Sequence, residues 1–357
     1  MRRCLLVLAV LGLLVGACGP GGGASAPAPA GGAALPAQAA ASSGTQTAPA
    51  PGGATPPAPA APLRHVTIGV TAPSLSFLPA KLADLLGYYT EEGLDPEFVV
   101  VSGTSIIPSL MSGDLDLTTL LTPVGAHAAQ GGPTRIVQYH SVRVQHVITV
   151  RPDVTTVQQL AGRRVAVQSM STLTAFEVRR VAEHFGLADV TLLAVGGELE
   201  RIAAIEAGAA DATALAVPSN LVAEQRGLAT LLRVGEVLPI PQAGLATSLS
   251  ALHDRTDLVT RVIRGAARAL PVIGSQRALV EQKIAEWVEL SPAEAARAYD
   301  LVADTYTPNG LPTDAQLAAF LDLLRATAGA PDDVKPDDVA DFTIARRVAA
   351  ELDLPSQ

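Results

Sequence analysis

The stretch IPSLMSGDLDLTTLLTP, residues Ile107–Pro123, recurs ninety-five residues later as IAAIEAGAADATALAVP, residues Ile202–Pro218. Each copy predicts an amphipathic helix that ends at a glycine, Gly113 or Gly208. An aspartate then opens a short apolar strand, and a proline marks the strand's far end. Two such copies predict two similar lobes with a cleft between them. Open α/β sheets bind ligands at the carboxyl ends of their strands, so the predicted site lies at this cleft.

The repeated aspartates, Asp116 and Asp211, are predicted to be structural. Each stands at the start of its strand and therefore at the sheet edge away from the cleft. Short acidic side chains at such positions bond readily to neighbouring backbone. We therefore expect capping or backbone hydrogen bonds from both carboxylates.

The rest of the folded chain alternates strands with helices up to Pro218, which predicts mostly parallel sheets with right-handed crossovers. From about Gly244 onward the pattern changes to amphipathic helices, and capping boxes are predicted at Ser291 and Thr313. The predicted fold class is α/β, with two lobes and a helical C-terminal part that packs on the first lobe.

The chain is expected to cross between the lobes twice, near residues 143 and 243, and two such connections make a hinge. Lobe 1 would then contain residues 63–143 and 244–357, and lobe 2 residues 144–243.

Residues 1–17 predict a bacterial secretion signal, because two arginines precede an apolar core too short to span a bilayer. The last residues of the signal and the residue after it, Val15-Gly16-Ala17-Cys18, are the small residues and cysteine of a lipobox. Cys18 is therefore predicted to carry a lipid that anchors the protein outside the cytoplasm; in the alternative, Cys18 is incidental in an ordinary signal. Residues 18–62 are nearly all Ala, Pro, Gly, Ser and Thr, which predicts a disordered tether.

Composition excludes several classes of function. The net charge of −9, without a basic stripe, argues against a nucleic-acid partner. The two cysteines are Cys4 in the signal and Cys18, so the folded part has no disulfide and depends on its core for stability.

The sequence shows no motif for catalysis or metal binding. The six histidines lack the spacing of metal ligands, and neither a nucleophile elbow nor a phosphate-binding loop occurs. His140 and His146 lie near the first predicted crossing and are the two histidines of interest. We expect a protein that is not an enzyme and that has no cofactor.

Small hydroxylated residues recur on the loops at the predicted cleft lip. Such loops direct backbone N–H groups and hydroxyls to one point, where a helix N-terminus favours negative charge. Taken singly, each residue is more simply a helix cap, but four such loops at one edge favour binding. Phe77, Tyr139 and Phe176 could add an apolar wall or belong to the core. The predicted ligand-binding residues are Ser74, Ser76, Phe77, Thr104, Ser105, Thr122, Ser169, Ser171, Thr172 and Pro218.

Four segments carry a resemblance to a known family: GYYTEEGLDPEFV (Gly87–Val99), SGDLDLTTL (Ser112–Leu120), VQQLAGRRVAV (Val157–Val167) and AGAADATAL (Ala207–Leu215). In this order they resemble substrate-binding lipoproteins of ABC importers, in the nitrate, sulfonate and taurine group that also includes binders of pyrimidine precursors. The resemblance implies the hinged fold of type II periplasmic binding proteins, acting as a monomer with a permease and its ATPase.

The resemblance also implies where the solute binds. The family's contact loops correspond to Ser74–Phe77, Gly103–Ser105, Thr122–Pro123, Ser169–Thr172 and Val217–Ser219, which contain no arginine or lysine. The implied function is capture of a small anionic or polar solute, such as a sulfonate, a nitrate-like anion or a pyrimidine precursor, by hinge closure. The alternatives are a sensor lipoprotein or an enzyme on the same fold.

Overall fold

The computed structural model describes residues 62–170 and 172–355. The predicted signal, Cys18, nearly all of the tether and Ser171 therefore lie outside the described residues. Two five-stranded mixed sheets form the framework. In sheet order, the first contains β2 (Leu94–Val100), β1 (Arg64–Val70), β3 (Leu117–Leu120), β10 (Ala243–Ser248) and β4 (Thr134–Ser141).

The second sheet repeats the arrangement of the first. In both sheets three neighbouring strands are parallel, and the fourth in order is antiparallel to both its neighbours. In sheet order, the second contains β7 (Thr191–Ala194), β6 (Arg164–Val167), β8 (Ala212–Leu215), β5 (Val147–Val150) and β9 (Ala229–Arg233).

Helices connect and cover the strands, and 3-10 turns lie at Leu75–Phe77, Val157–Leu160, Val234–Glu236 and Ala303–Thr305. The helices are α1 (Leu78–Leu85), α2 (Tyr88–Glu91), α3 (Ile106–Ser112), α4 (Leu121–Ala129), α5 (Leu173–Phe185), α6 (Glu198–Glu206), α7 (Ser219–Gln225), α8 (Leu249–Asp254), α9 (Thr256–Ser275), α10 (Arg277–Val288), α11 (Pro292–Val302), α12 (Asp314–Ala328), α13 (Pro336–Val339) and α14 (Thr343–Glu351). The capping boxes at Ser291 and Thr313 begin α11 and α12, as predicted.

The chain passes between the sheets twice, which confirms the predicted two-lobed fold with two hinge crossings. It leaves the first sheet after β4, through residues 142–146, and returns after β9, through residues 234–242. Each antiparallel strand, β5 or β10, is the one that arrives from the other lobe. Both crossings therefore lie at the edge of the sheets where the parallel strands end. The exact lobe boundaries stay predictions.

The predicted helical C-terminal part is confirmed and begins with α8 at Leu249, but Gly244 itself lies in β10, a strand of the first sheet that the sequence pattern did not predict. All six residues of β10 are buried, so the alternating pattern of a half-exposed strand is missing. A side chain at Gly244 would collide with the carbonyl oxygen of Gln138 on β4. Close packing of backbones, and not a turn, accounts for this glycine.

The repeated aspartates make the same contact in both lobes, which confirms their structural role. Asp116 Oδ2 accepts a hydrogen bond of 2.9 Å from the backbone N–H of Thr67 on β1. Asp211 Oδ2 accepts one of 3.0 Å from the backbone N–H of Arg164 on β6. Each carboxylate thus joins the neighbouring strand, β1 or β6, to the repeated strand.

The repeated prolines differ from the prediction, because they belong to the next helix and not to the end of a strand. Pro123 is the third residue of α4, and Pro218 immediately precedes α7. Proline is favoured in the first turn of a helix, because the N–H groups of that turn have no hydrogen-bond acceptor within the helix.

Candidate functional site

The turn after β1 is built by its own serines. Ser74 Oγ caps the turn Leu75–Phe77 through the N–H of Ser76 at 3.4 Å, and its hydroxyl lies 2.8 Å from that of Ser76. Ser76 and Phe77 are buried. The turn packs against β4 and β10, so it lies across the carboxyl edge of the first sheet.

The loop after β2 is held by hydroxyl contacts within itself. Ser102 Oγ lies 3.0 Å from Thr104 Oγ1 and 2.7 Å from Ser105 Oγ. Ser105 directly precedes α3 without a side-chain cap bond to it. Ser102 and Thr104 are exposed, so these hydroxyls remain accessible to a solute.

The loop after β6 leaves the start of α5 without a side-chain cap. Thr172 Oγ1 donates to the carbonyl of Ser169 at 2.8 Å and accepts from the Ser169 N–H at 3.3 Å. This residue directly precedes α5 but forms no cap bond to the first turn. Uncapped N–H groups at this lip can therefore face a solute. The remaining predicted residues, Thr122 and Pro218, lie at the start of α4 and α7 and are partly buried.

A backbone hydrogen bond joins the two lobes at the lip. The N–H of Leu75, in the turn after β1, donates to the carbonyl of Val217, in the loop after β8, at 3.1 Å. The carbonyl of Leu75 accepts from the hydroxyl of Tyr306, which lies between α11 and α12. The structure therefore brings the predicted segment 74–77 together with Val217 and Pro218. Sequence reasoning missed Tyr306, which no motif distinguishes.

Glutamines connect the two crossings at the hinge. The backbone N–H of Gln145 donates to Gln242 Oε1 at 2.7 Å, and Gln145 Nε2 donates to Thr305 Oγ1 at 2.6 Å. Gln242 also donates its N–H to the carbonyl of Ser141 at 3.1 Å. Bending at the hinge must move these polar contacts, which no sequence motif predicted.

A buried network of charged side chains supports the lip of the second lobe. His146 Nδ1 lies 2.7 and 2.8 Å from the two carboxylate oxygens of the fully buried Glu177 on α5. On α6, Arg201 donates to the carbonyls of Gly196 and Ala214, and Glu198 accepts from the N–H of Ala216 at 2.9 Å. The network therefore fixes the loops after β7 and β8.

The two histidines near the first crossing are in different environments. Burial lowers the pKa of His140 to about 3, and its Nε2 lies 3.0 Å from Gln138 Oε1. Burial also acts to lower the pKa of His146, and so does the positive charge of Arg201. The charge and hydrogen bond of Glu177, together with the charge of Glu198, outweigh these two effects and raise that pKa. His140 is therefore neutral at pH 7, and protonation of His146 is favoured.

A cavity of about 410 Å³ lies at the hinge between α5, the returning crossing and α12. Its lining includes Phe176, Arg180, Leu238, Ile240 and Ala319, and no predicted lip residue. Phe176, one of the three aromatic side chains considered for the cleft wall, thus faces the hinge.

The other two aromatic side chains have separate roles. Tyr139 is fully buried in the core, with its ring near those of Phe320 and Phe342. Phe77 packs at the carboxyl edge of the first sheet.

Within residues 62–170 and 172–355, no group of three or more His, Cys, Asp or Glu side chains is placed to hold a metal ion. The helices of this part of the chain include none that is long and apolar enough to cross a membrane.

Comparison with known proteins identifies a family. The family model described as "NMT1/THI5 like" matches residues 75–276, which is more than half of the chain. Among curated proteins, no sequence matches this one.

Several solved structures share the fold over about four fifths of the chain. The alkanesulfonate-binding protein SsuA from Xanthomonas axonopodis pv. citri, bound to MOPS, is 24% identical with a TM-score of 0.61, covering 80% of this chain and 100% of SsuA. The periplasmic nitrate-binding protein NrtA from Synechocystis PCC 6803 is 13% identical with a TM-score of 0.64, covering 82% and 90%. The desulfurization enzyme DSZB is 15% identical with a TM-score of 0.61, covering 81% and 99%. These likenesses confirm the predicted periplasmic-binding-protein fold.

Proposed function

Since this chain belongs to the NMT1/THI5-like family, we propose that it is the extracytoplasmic solute-binding component of an ABC importer. It would capture a small organic or anionic solute between its lobes and deliver it to a permease with its ATPase. The resemblance to the sulfonate-binding and nitrate-binding proteins supports this class of function.

The observation that carries the proposal is the hydrogen bond between Leu75 and Val217. It joins two lip loops that belong to different lobes, so it can form only when the cleft is closed at this point. A solute that contacts both loops shifts the population towards this closed form, whereas one that contacts a single lobe shifts nothing. The two crossings supply the hinge for this motion.

The lipid on Cys18 and the tether of residues 18–62 belong to the same proposal. The tether would hold a monomeric binding unit near the membrane-embedded permease. Replacing Cys18 by serine should release the protein from the membrane fraction, and a Cys18→Ser protein that stays membrane-bound would contradict the anchor.

Solute binding is tested by thermal-shift screening of the full chain, purified in mild detergent. The panel should contain inorganic anions, sulfonates, amino-acid-like compounds, pyrimidines and uncharged amides. A hit should raise the unfolding temperature, because a ligand that binds the folded state stabilises it. A panel with no hit at millimolar concentration counts against the proposal.

The site is tested by bulky substitution at the lip. Ser169→Trp, in the loop after β6, should abolish the thermal shift without unfolding the protein. Ser250→Trp is the matched control, because this exposed serine follows β10 at the opposite edge of the first sheet. An equal shift in both variants would place the solute elsewhere.

An enzyme on the same fold is the second candidate, since DSZB shares the architecture. Conversion of a hit compound during prolonged incubation, followed by mass spectrometry, would support it over transport.

A further inference from the structure

A small apolar cluster lies at the lip of the first lobe, beside the main core. Its buried members are Val70, Phe77 and Ala243, and Phe98, Leu120 and Trp287 pack against them while staying partly exposed. Trp287 comes from α10 and is the only tryptophan of the chain.

The strands place this cluster at the carboxyl edge of the sheet. Val70 ends β1, Leu120 ends β3, and Ala243 begins the antiparallel β10. This is the edge that carries the turn Leu75–Phe77, and hence the contact with the second lobe. Trp287 therefore adds a large, partly exposed ring beside the predicted site, where an apolar face of a solute could pack.

Charges near this patch and at the hinge are paired. Lys81 Nζ lies 4.9 Å from the centre of the Phe98 ring, and its ammonium pairs with Asp84 at 2.6 Å. The hinge arginines, Arg143 and Arg233, both pair with Asp304. An inorganic anion would have to compete with these carboxylates for a cation.

Two basic side chains of the second lobe are paired in the same way. His146 pairs with Glu177, and Arg201 with Glu198 at 3.6 Å. Arg179 differs, because both of its terminal nitrogens donate to the carbonyl of Met170, in the loop after β6, at 3.3 Å. It projects from the exposed side of α5, so it offers a direct test of anion binding.

We propose that the solute is an uncharged organic molecule with an apolar face, and that Trp287 and Phe77 form the wall that receives this face. The assignment rests on the proposed solute-binding function. Hydroxyls and backbone N–H groups of the lip loops would bind the polar edge of the solute, because Lys81 and Arg201 are already paired with carboxylates.

The intrinsic fluorescence of the full chain tests this directly, because every tryptophan photon comes from Trp287. Uracil and benzamide serve as uncharged probes, and nitrate and ethanesulfonate as anionic ones. An uncharged probe should shift the emission to the blue as water leaves the ring, in parallel with a thermal shift. The anions should change neither signal.

Two variants separate the possible outcomes. Trp287→Leu should weaken binding of the uncharged hit about tenfold by thermal-shift titration, through loss of the ring's contact area. Arg179→Gln should leave its affinity within about twofold, as expected for an exposed charge that does not touch the solute. Tyr88→Leu, a partly buried aromatic on α2, controls for general loss of packing.

The failures of this inference and of the proposed function are distinguishable. Tight binding of nitrate or ethanesulfonate that Arg179→Gln abolishes would overturn the solute class and leave solute binding intact. If an uncharged hit leaves the fluorescence emission of the unaltered protein unchanged, Trp287 does not contact the solute. A whole panel without a hit would count against solute binding itself.

Discussion

His140 and His146 flank the first crossing, yet their pKa values shift in opposite directions. His140 ends in the closed interior of the first lobe, where burial lowers its pKa to about 3. His146 opens the second lobe against the buried carboxylate of Glu177, which raises its pKa despite burial. Protonation therefore acts on the two sides of the hinge in separate pH ranges.

Acid should destabilise the protein through His140. The unfolded side chain takes up a proton below pH 6.5, whereas the folded one stays neutral to about pH 3. The free energy of unfolding should thus fall by about 2 kcal/mol between pH 6.5 and 5 from this residue alone. Urea unfolding at both pH values should show a smaller fall in His140→Gln. Equal falls would contradict the buried neutral imidazole.

Alkali should destabilise the protein through His146. Because its folded pKa is raised, the stabilisation is complete below the unfolded pKa of about 6.5 and is lost as pH rises through the folded value. Glu177, Glu198 and Arg201 are the charged groups that act on it. His146→Gln should flatten the decline in unfolding free energy above pH 6.5. An unchanged slope would show that another group titrates there.

Asp211 should matter for stability and not for binding. Burial acts to raise its pKa, but the N–H of Arg164 and the guanidinium groups of Arg151, Arg164 and Arg163 outweigh burial and lower it. Its contribution is therefore present above pH 4 and is lost as pH falls through the lowered pKa. At pH 7, Asp211→Asn should cost about 2 kcal/mol of unfolding free energy, as for a hydrogen bond to a charged group.

The control for Asp211 is a neighbouring surface acid. Asp153 pairs with Arg151 at 3.2 Å but is mostly exposed, so Asp153→Asn should change stability by less than about 0.5 kcal/mol. Both variants should bind solute normally, because the edge that carries Asp211 is opposite the lip.

The repeat predicted the topology because the same two local requirements, a glycine that ends a helix and an aspartate that accepts from a strand N–H, occur once in each lobe. Gly113 and Gly208 both adopt positive φ, at +83° and +71°, which side chains rarely tolerate. Asp116 and Asp211 both satisfy a backbone N–H of the adjacent strand. Such local needs leave a local signature in the sequence, and so do the helix caps.

The features that the sequence could not predict depend on contacts between distant segments. The close approach of β4 to Gly244 and the position of Trp287 beside Phe77 are set by strands and helices that are far apart in the sequence. Tyr306 reaches Leu75 across more than two hundred residues of chain. No periodicity or motif encodes such a pairing, so Tyr306 and Trp287 could be placed at the lip only from the structure.

A surface ion pair should help to hold the lobes together. Glu224 on α7, in the second lobe, pairs with Arg297 on α11, in the C-terminal part. Arg297→Glu would place like charges there and favour opening, so solute affinity should fall about two- to fivefold at low salt and less at high salt. Arg226→Glu is the control, since Arg226 pairs with Glu206 inside the second lobe. Equal losses in both variants would argue against a role in closure.

Tyr306 should couple the closed cleft to the C-terminal helices. Its hydroxyl bonds to the carbonyl of Leu75, whose N–H bonds to Val217 in the other lobe, so Tyr306→Phe loosens the turn that completes closure. It should cost about 1 kcal/mol of unfolding free energy and weaken solute binding severalfold. Tyr299→Phe removes a comparable buried bond, 2.7 Å to the carbonyl of Ile273, away from the lip, and should cost stability alone. Urea unfolding measures the loss of stability, and solute titration measures the loss of affinity. Weaker binding in both variants, or in neither, would contradict a role of Tyr306 in closing the cleft.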